Sequence, residues 1–173
     1  KHNSNSNKIL FVGNIGYLPN KLACYNFSKK ILPKINKIYP EIEFNIIGKI
    51  NTFDKFILSC FSNVKVHGPI KKIDNMIKKS ICGISNLKVA TGLQNKIFTY
   101  MSYGLPAIAS KDSVPKKLIK NKKNILIYSS QDDLVNCISE LIKKKKLANL
   151  ISTNSHKIVK NKLTSKRVYN KYI

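Results

Sequence analysis

The chain has 173 residues, 43% of them apolar, and a formal net charge of +24. That length suits one substantial hydrophobic core, and that apolar share excludes a disordered tail. No apolar run approaches the roughly 18 residues a membrane-spanning helix needs, and the opening KHNSNSNK has no apolar signal core, so residues 1–7 read as a linker.

The charge narrows the choice of partner. Among 32 cationic side chains only Arg167 is an arginine, and readers of specific nucleic-acid sequence rely on arginine forks. Nucleic acid is therefore not the expected partner, whereas an anionic membrane surface is an expected peripheral one. Abundant Lys, Ile and Asn together also suit a biased coding composition that spreads surface lysine without assigning it a task. Cys24, Cys60, Cys82 and Cys137 are far apart, each in an apolar stretch, and His2, His67 and His156 are equally scattered. Such spacing predicts no metal site and four small buried hydrophobes in a reducing compartment. A cytoplasmic location follows, including the inner face of a membrane.

Ile9–Val12 is a short apolar run closed by Gly13, the pattern of a buried strand and tight turn. From Asn20 the period turns helical through Cys24, Phe27, Ile31 and Ile35, with Pro33 predicting a kink. Phe44–Ile47 then reads as a strand closed by Gly48, Phe53–Cys60 as a helix, and Val64–His67 as a strand ending at Gly68. Ile73–Lys79 predicts a helix, Ile81–Ser85 a strand, and Gln94–Tyr103 a helix with Gly104 as a left-handed cap. Pro106–Ala109 and Ile125–Tyr128 complete six strands. Ser130 to Asp133 resembles a capping box opening a helix through Leu134, Ile138 and Leu141, with Lys143–Lys146 at its C-terminal end. Residues 147–173 predict one or two further helices packed outside. The expected architecture is a Rossmann-like three-layer α/β/α domain over residues 8–173, built on a six-stranded parallel sheet.

In such sheets ligands bind beyond the carboxyl ends of the strands. That rule selects Gly13-Asn14, Gly48-Lys49, Gly68 to Ile70 and the loop before Asn95. Gly92 precedes a helix whose first turn holds Lys96, where the helix dipole disfavours a cation and a bound diphosphate would favour one.

Gly92, Lys96, Thr99, Met101, Gly104, Pro106 and Ala109 follow the pattern G-x-x-x-K-x-x-E-x-M-x-x-G-x-P-V-V-A-T. With Phe11-Val12-Gly13-Asn14, Pro19-Asn20, Phe44 to Gly48 and Val64 to Gly68, the chain resembles the C-terminal domain of family-4 (group 1) glycosyltransferases of the GT-B fold. The resemblance runs from about Lys8 to Ile173. It implies a retaining glycosyltransferase of hexosyltransferase type, without metal or cofactor, acting in glycan, polysaccharide or cell-surface synthesis. The donor, a nucleotide diphosphate sugar, would sit on this domain, and the acceptor on a preceding domain absent from this chain. The fragment alone would then be inactive.

By the same resemblance Gly13, Asn14 and Lys96 lie near the diphosphate, Gly68 to Ile70 border the base, and Thr99 takes the ribose position. The departures are Asn14 for the usual arginine, Thr91 and Thr99 for the usual glutamates, and Lys21 as a displaced lysine. Lys21, Lys49 and Lys96 are left to meet the diphosphate charge. Two other readings stay open at this point. One is a non-catalytic binding module of the same fold; the other is a basic binder of nucleic acid or an anionic surface, whose binding would fall steeply with salt.

Overall fold

Short apolar strands separated by amphipathic helices can bury both kinds of apolar face only by stacking helices on each side of one sheet. The computed structural model describes residues 6–87, 95–114 and 119–162 and shows that arrangement. Six strands, β1 (Lys8–Val12), β2 (Glu43–Ile47), β3 (Val64–His67), β4 (Ser80–Ser85), β5 (Ala107–Ser110) and β6 (Leu126–Tyr128), lie in the order β3-β2-β1-β4-β5-β6. Every pairing is parallel. The chain reverses its direction of travel between β1 and β4, and the crevice of a doubly wound sheet opens at that switch point.

Alternation along the strands feeds two cores. Ile9, Phe11, Phe44 and Ile46 face α1 (Leu18–Asn26), α2 (Leu32–Asn36), α3 (Thr52–Ser59) and α6 (Gln131–Lys143). Leu10 and Ile47 face α4 (Asp74–Lys78) and α5 (Asn95–Ser102), meeting Ile77, Ile97, Tyr100 and Met101. The helix α7 (Lys145–Lys162) serves both sides, with Ala148 and Ile151 in the first core and Ile158 and Val159 against the second. None of the described helices is long and apolar enough to cross a membrane.

Several local signals act as expected. Gly104 takes a φ of +66°, and the Leu105 and Gly104 amides donate to Tyr100 and Met101 carbonyls, closing α5 in a Schellman motif. Ser130 Oγ accepts the Asp133 amide at 3.1 Å and Asp133 Oδ2 accepts the Ser129 amide at 2.9 Å, so α6 opens on a capping box shifted by one residue.

One expectation takes a definite form and two are corrected. The irregularity ahead of Pro33 is a π-helical turn over Phe27–Ile31, closed by the Leu32 amide on the Phe27 carbonyl. Proline cannot donate and its ring crowds the carbonyl four residues back. The wider turn absorbs that conflict while Phe27, Ile31, Leu32 and Ile35 stay buried. The lysine run is divided: α6 ends at Lys143, and Lys145 and Lys146 stand in the first turn of α7, against its dipole. Such an unfavourable term is about 0.3–1 kcal/mol, less than the roughly 2 kcal/mol gained by burying Ile151. Finally, Cys24, Cys82 and Cys137 are buried but Cys60 is exposed, since it falls at the end of α3 on the side away from Leu58.

Candidate functional site

The switch point is held open by one phenol. The pairing of β1 with β4 ends at Leu10 and Gly83, leaving the last residues of β1 without a neighbour on that side. Tyr100, wholly buried on α5, fills the gap: its hydroxyl accepts the Val12 amide at 2.8 Å and lies 3.4 Å from Leu10 O and 3.3 Å from Ile84 O. The ring lies flat on Gly83, where a Cβ would come within 2.4 Å of it. Burial pushes the phenol far above its ordinary pKa, so the hydroxyl stays neutral. Tyr100→Phe should cost about 1–3 kcal/mol, the price of an unpaired buried amide, measurable by urea unfolding and by faster hydrogen exchange at Val12.

Beyond Val12 the chain is locked to β2. The Gly13 amide donates to Ile47 O at 3.0 Å and the Ile15 amide to Lys49 O at 2.8 Å. Gly48 permits this approach with a φ of +140°; a Cβ there would stand 2.0 Å from Gly13 O. The side chain of Asn14 folds back, its Oδ1 accepting the Gly16 amide at 3.0 Å. Its carbonyl accepts Asn20 Nδ2 at 2.8 Å. A cleft of about 330 Å³ opens here between Asn14, Gly16, Lys49, Ile50 and Asn51.

Lys96 reaches this edge from the other layer. It sits in the first turn of α5, yet its Nζ donates to Asn20 Oδ1 at 2.8 Å and stands 4.7 Å from the centre of the Phe11 ring. Asn20 and Phe11 belong to the α1 side, so the lysine spans the crevice between β1 and β4. Burial lowers its pKa to about 8. The arrangement is a half-buried cation beside glycine-rich turns and a helix N-terminus, suited to receive an anion.

The structure therefore brings Gly13, Asn14, Gly48, Lys49 and Lys96 to one edge. Lys21 is committed elsewhere: its Nζ lies 2.7 Å from Asp54 Oδ2, and that carboxylate is held below the usual range chiefly by this hydrogen bond. The Thr99 hydroxyl donates to Asn95 O on its own helix at 3.1 Å. Gly68 has open space where a side chain would go, and Ile70 packs toward the second core; both lie past β3, two strands from β1. Gly92 and Thr91 lie outside the described residues. The described residues contain no cluster of three or more His, Cys, Asp or Glu that could hold a metal ion.

Sequence reasoning missed Asn20, Tyr100 and Gly83 as site-builders. Two of them left a trace: Asn20 is a polar residue on the stripe of Cys24, Phe27 and Ile31, and Gly83 is a glycine inside a strand, a sign of close approach. A larger cleft of about 790 Å³ lies at the far sheet edge, lined by Lys111, Lys122, Glu140 and Lys144 among others. There Glu140 already pairs with Lys122 and Lys144, and the switch point is several strands away.

A family model described as "Glycosyl transferases group 1" matches residues 6–144. No curated protein sequence matches the chain. Among solved structures, the chain is similar to TarM, with a TM-score of 0.78 and 15% identity over 99% of this chain and 35% of that one. It is also similar to Anabaena HepE in complex with UDP and glucose, with a TM-score of 0.70 and 14% identity over 89% of this chain and 43% of that one. The C-terminal domain of the group 1 family protein LpcC from Francisella tularensis gives a TM-score of 0.71 and 17% identity over 92% of this chain and 87% of that one. The chain thus spans about a third of TarM, a little under half of HepE and nearly all of the isolated LpcC domain.

Proposed function

Because this chain belongs to the group 1 glycosyltransferase family, we propose that it is the donor-binding part of a glycosyltransferase, holding a nucleotide diphosphate sugar for transfer to an acceptor hydroxyl. The observation that carries this reading is Lys96, a cation set across the switch-point crevice and fixed there by Asn20. As the bond from the anomeric carbon to the diphosphate breaks, negative charge gathers on the departing phosphate oxygens, and a preorganised cation lowers that barrier. Lys96 takes that role, with Lys49 at the mouth of the cleft as a second, exposed cation. The Gly13 to Gly16 turn lines the cleft, where its backbone can approach a phosphate closely.

Transfer with retention, without metal, belongs to this proposal, as does an acceptor carried by another domain. The acceptor hydroxyl must be brought to the anomeric carbon by that other domain. The chain by itself is therefore expected to bind donor and not to transfer it. Glycan or polysaccharide synthesis at the cytoplasmic side of a membrane is the setting that this chemistry suits.

Calorimetry with UDP, GDP and their sugars tests the proposal. Binding of at least one at micromolar to millimolar concentration is expected, and no heat with any of them would sink it. The Lys96 pKa adds a pH signature. Lys96 is cationic below about 8, so diphosphate affinity should hold steady down to neutral pH and fall as pH rises through 8. The terminal phosphate of UDP or GDP has its last pKa at about 6 and the diphosphate of a nucleotide sugar ionises at lower pH still, so neither titrates across this range. The fall approaches tenfold per pH unit until the raised pKa of the complex is reached. Lys96→Arg should flatten it.

A second reading, a non-catalytic module of the same fold, is favoured by one pair of contacts. The Thr99 hydroxyl and the Lys21 ammonium, both expected at the ligand, are already engaged by Asn95 O and Asp54. Thr99→Glu separates the two: a large gain in nucleotide affinity indicates a weakened donor site, and no change indicates a different ligand.

A further inference from the structure

The ion pair that engages Lys21 stands against the wall of the cleft. Asn51, one of the residues lining that cleft, is the N-cap of α3, and its Oδ1 accepts the Asp54 amide at 2.8 Å. Its Nδ2 donates to Asp54 Oδ2 at 2.7 Å. The Lys21 ammonium lies 2.7 Å from the same oxygen. Two donors on one acceptor stand no farther apart than twice that distance, so the ammonium is a short side-chain swing from a cleft-lining residue. The two partners differ in burial: the Lys21 side chain is 30% exposed and that of Asp54 only 5%. Asp54 is fixed within the protein, and Lys21 is the partner with room to turn.

A buried carboxylate keeps its charge where it is paired and hydrogen-bonded. The hydrogen bond from Lys21 is the largest cause of the lowered Asp54 pKa, so Asp54 stays ionised throughout the neutral range. What competes with it for Lys21 is a second anion, in the cleft. A diphosphate between Lys49 and the Gly13 to Gly16 turn gains no net charge from the Asp54–Lys21 pair, whereas Lys21 alone would offer one positive charge. Turning Lys21 onto the ligand leaves Asp54 buried with only Asn51 hydrogen-bonded to its side chain among the described residues, a cost set against ligand affinity.

We infer that Asp54 sets the donor affinity of this site by withholding Lys21 from the diphosphate. It is a positioning residue with two charges to keep: it holds Asn51 in the cleft wall and Lys21 beside that wall. The inference rests on the donor reading, and within it explains why Lys21 is engaged away from the ligand.

Asp54→Asn and Asp54→Ala test it. The N-cap bond of α3 uses the backbone amide of residue 54, so both variants keep the helix start, and circular dichroism with thermal unfolding checks the fold. In calorimetry with UDP and GDP, the tighter-binding nucleotide should gain about fivefold in affinity, the worth of a partly exposed charge contact. The matching nucleoside, which has no phosphate, should gain nothing. Adding Lys21→Met should return the affinity to that of the parent. Acetylation read at Lys21 by mass spectrometry follows the side chain itself. It should be slow in the parent with or without nucleotide, faster in Asp54→Asn, and slowed there by nucleotide. The inference is overturned if the parent binds nucleotide and neither variant binds it more tightly, a result that leaves the donor reading standing. It is equally overturned if affinity rises while Lys21 acetylation in Asp54→Asn is indifferent to nucleotide, which would make the gain a field effect of the lost carboxylate. Binding by the variants alone supports the inference, and binding by neither variant nor parent ends both it and the reading beneath it.

Discussion

Gly48→Ala is expected to destabilise the domain by about 3–5 kcal/mol and to lower its melting temperature by roughly 10 °C. Two separate costs add at this position. An L side chain is strained at a φ of +140°, and its Cβ would stand 2.0 Å from the Gly13 carbonyl oxygen and 2.8 Å from the carbonyl carbon. Both clashing atoms are backbone, so no rotamer change relieves them. The Gly13 turn must move, and with it the Gly13-to-Ile47 and Ile15-to-Lys49 hydrogen bonds that shape the cleft. Nucleotide binding should therefore be lost even at temperatures where the variant is folded. Gly68→Ala is the control: no atom lies within 4 Å of its added Cβ, and stability should change by less than about 0.5 kcal/mol. Urea unfolding of the two variants side by side decides the matter, and equal stabilities would refute the argument.

Lys96→Met is expected to weaken diphosphate binding by about 10- to 100-fold, the worth of a charge-assisted contact of roughly 1.5–3 kcal/mol. Stability should not suffer in proportion. Burial already disfavours the ammonium enough to bring its pKa to about 8, and methionine keeps an apolar stem on the Phe11 ring where the cation now lies. The cost that remains is one lost hydrogen bond at Asn20 Oδ1. Lys49→Met makes the contrast: that side chain is exposed, its field is screened by solvent, and a loss of only a few-fold is expected. Titration calorimetry on both variants, paired with thermal unfolding, separates a lost ligand contact from a damaged fold. A Lys96→Met domain that binds nucleotide as tightly as the parent would remove Lys96 from the site and leave the family and fold untouched.

Much of this architecture was legible in the chain. Six apolar runs, each ended by glycine or a polar turn, specify strands too buried for an antiparallel meander, and helical periods between them force parallel crossovers. Gly104, Ser130 and the Pro33 irregularity were readable because caps and breaks depend on residues within one turn of each other. The order and spacing of Gly13, Gly48, Lys96, Gly104 and Pro106 pointed to the family and to the strand ends that carry the cleft.

What stayed hidden depends on which elements become neighbours. Lys21 and Lys96 are equivalent in composition, yet one is neutralised by Asp54 and the other crosses the crevice to Asn20. No local rule separates them, because their partners lie 33 and 76 residues away. Tyr100 reads as one more apolar-face residue of α5 until Gly83, on a different strand, makes room for its ring and Val12 supplies an unpaired amide. The sequence places Phe53, Phe56 and Leu58 on one helix, and only the fold decides that Leu58 is buried while Phe53 and Phe56 stay exposed. Periodicity and turn chemistry, which act over a few residues, determined the elements and their order. Charge pairing, crevice geometry and the exposed aromatic face were decided only in the tertiary structure, because each is a property of distance through space.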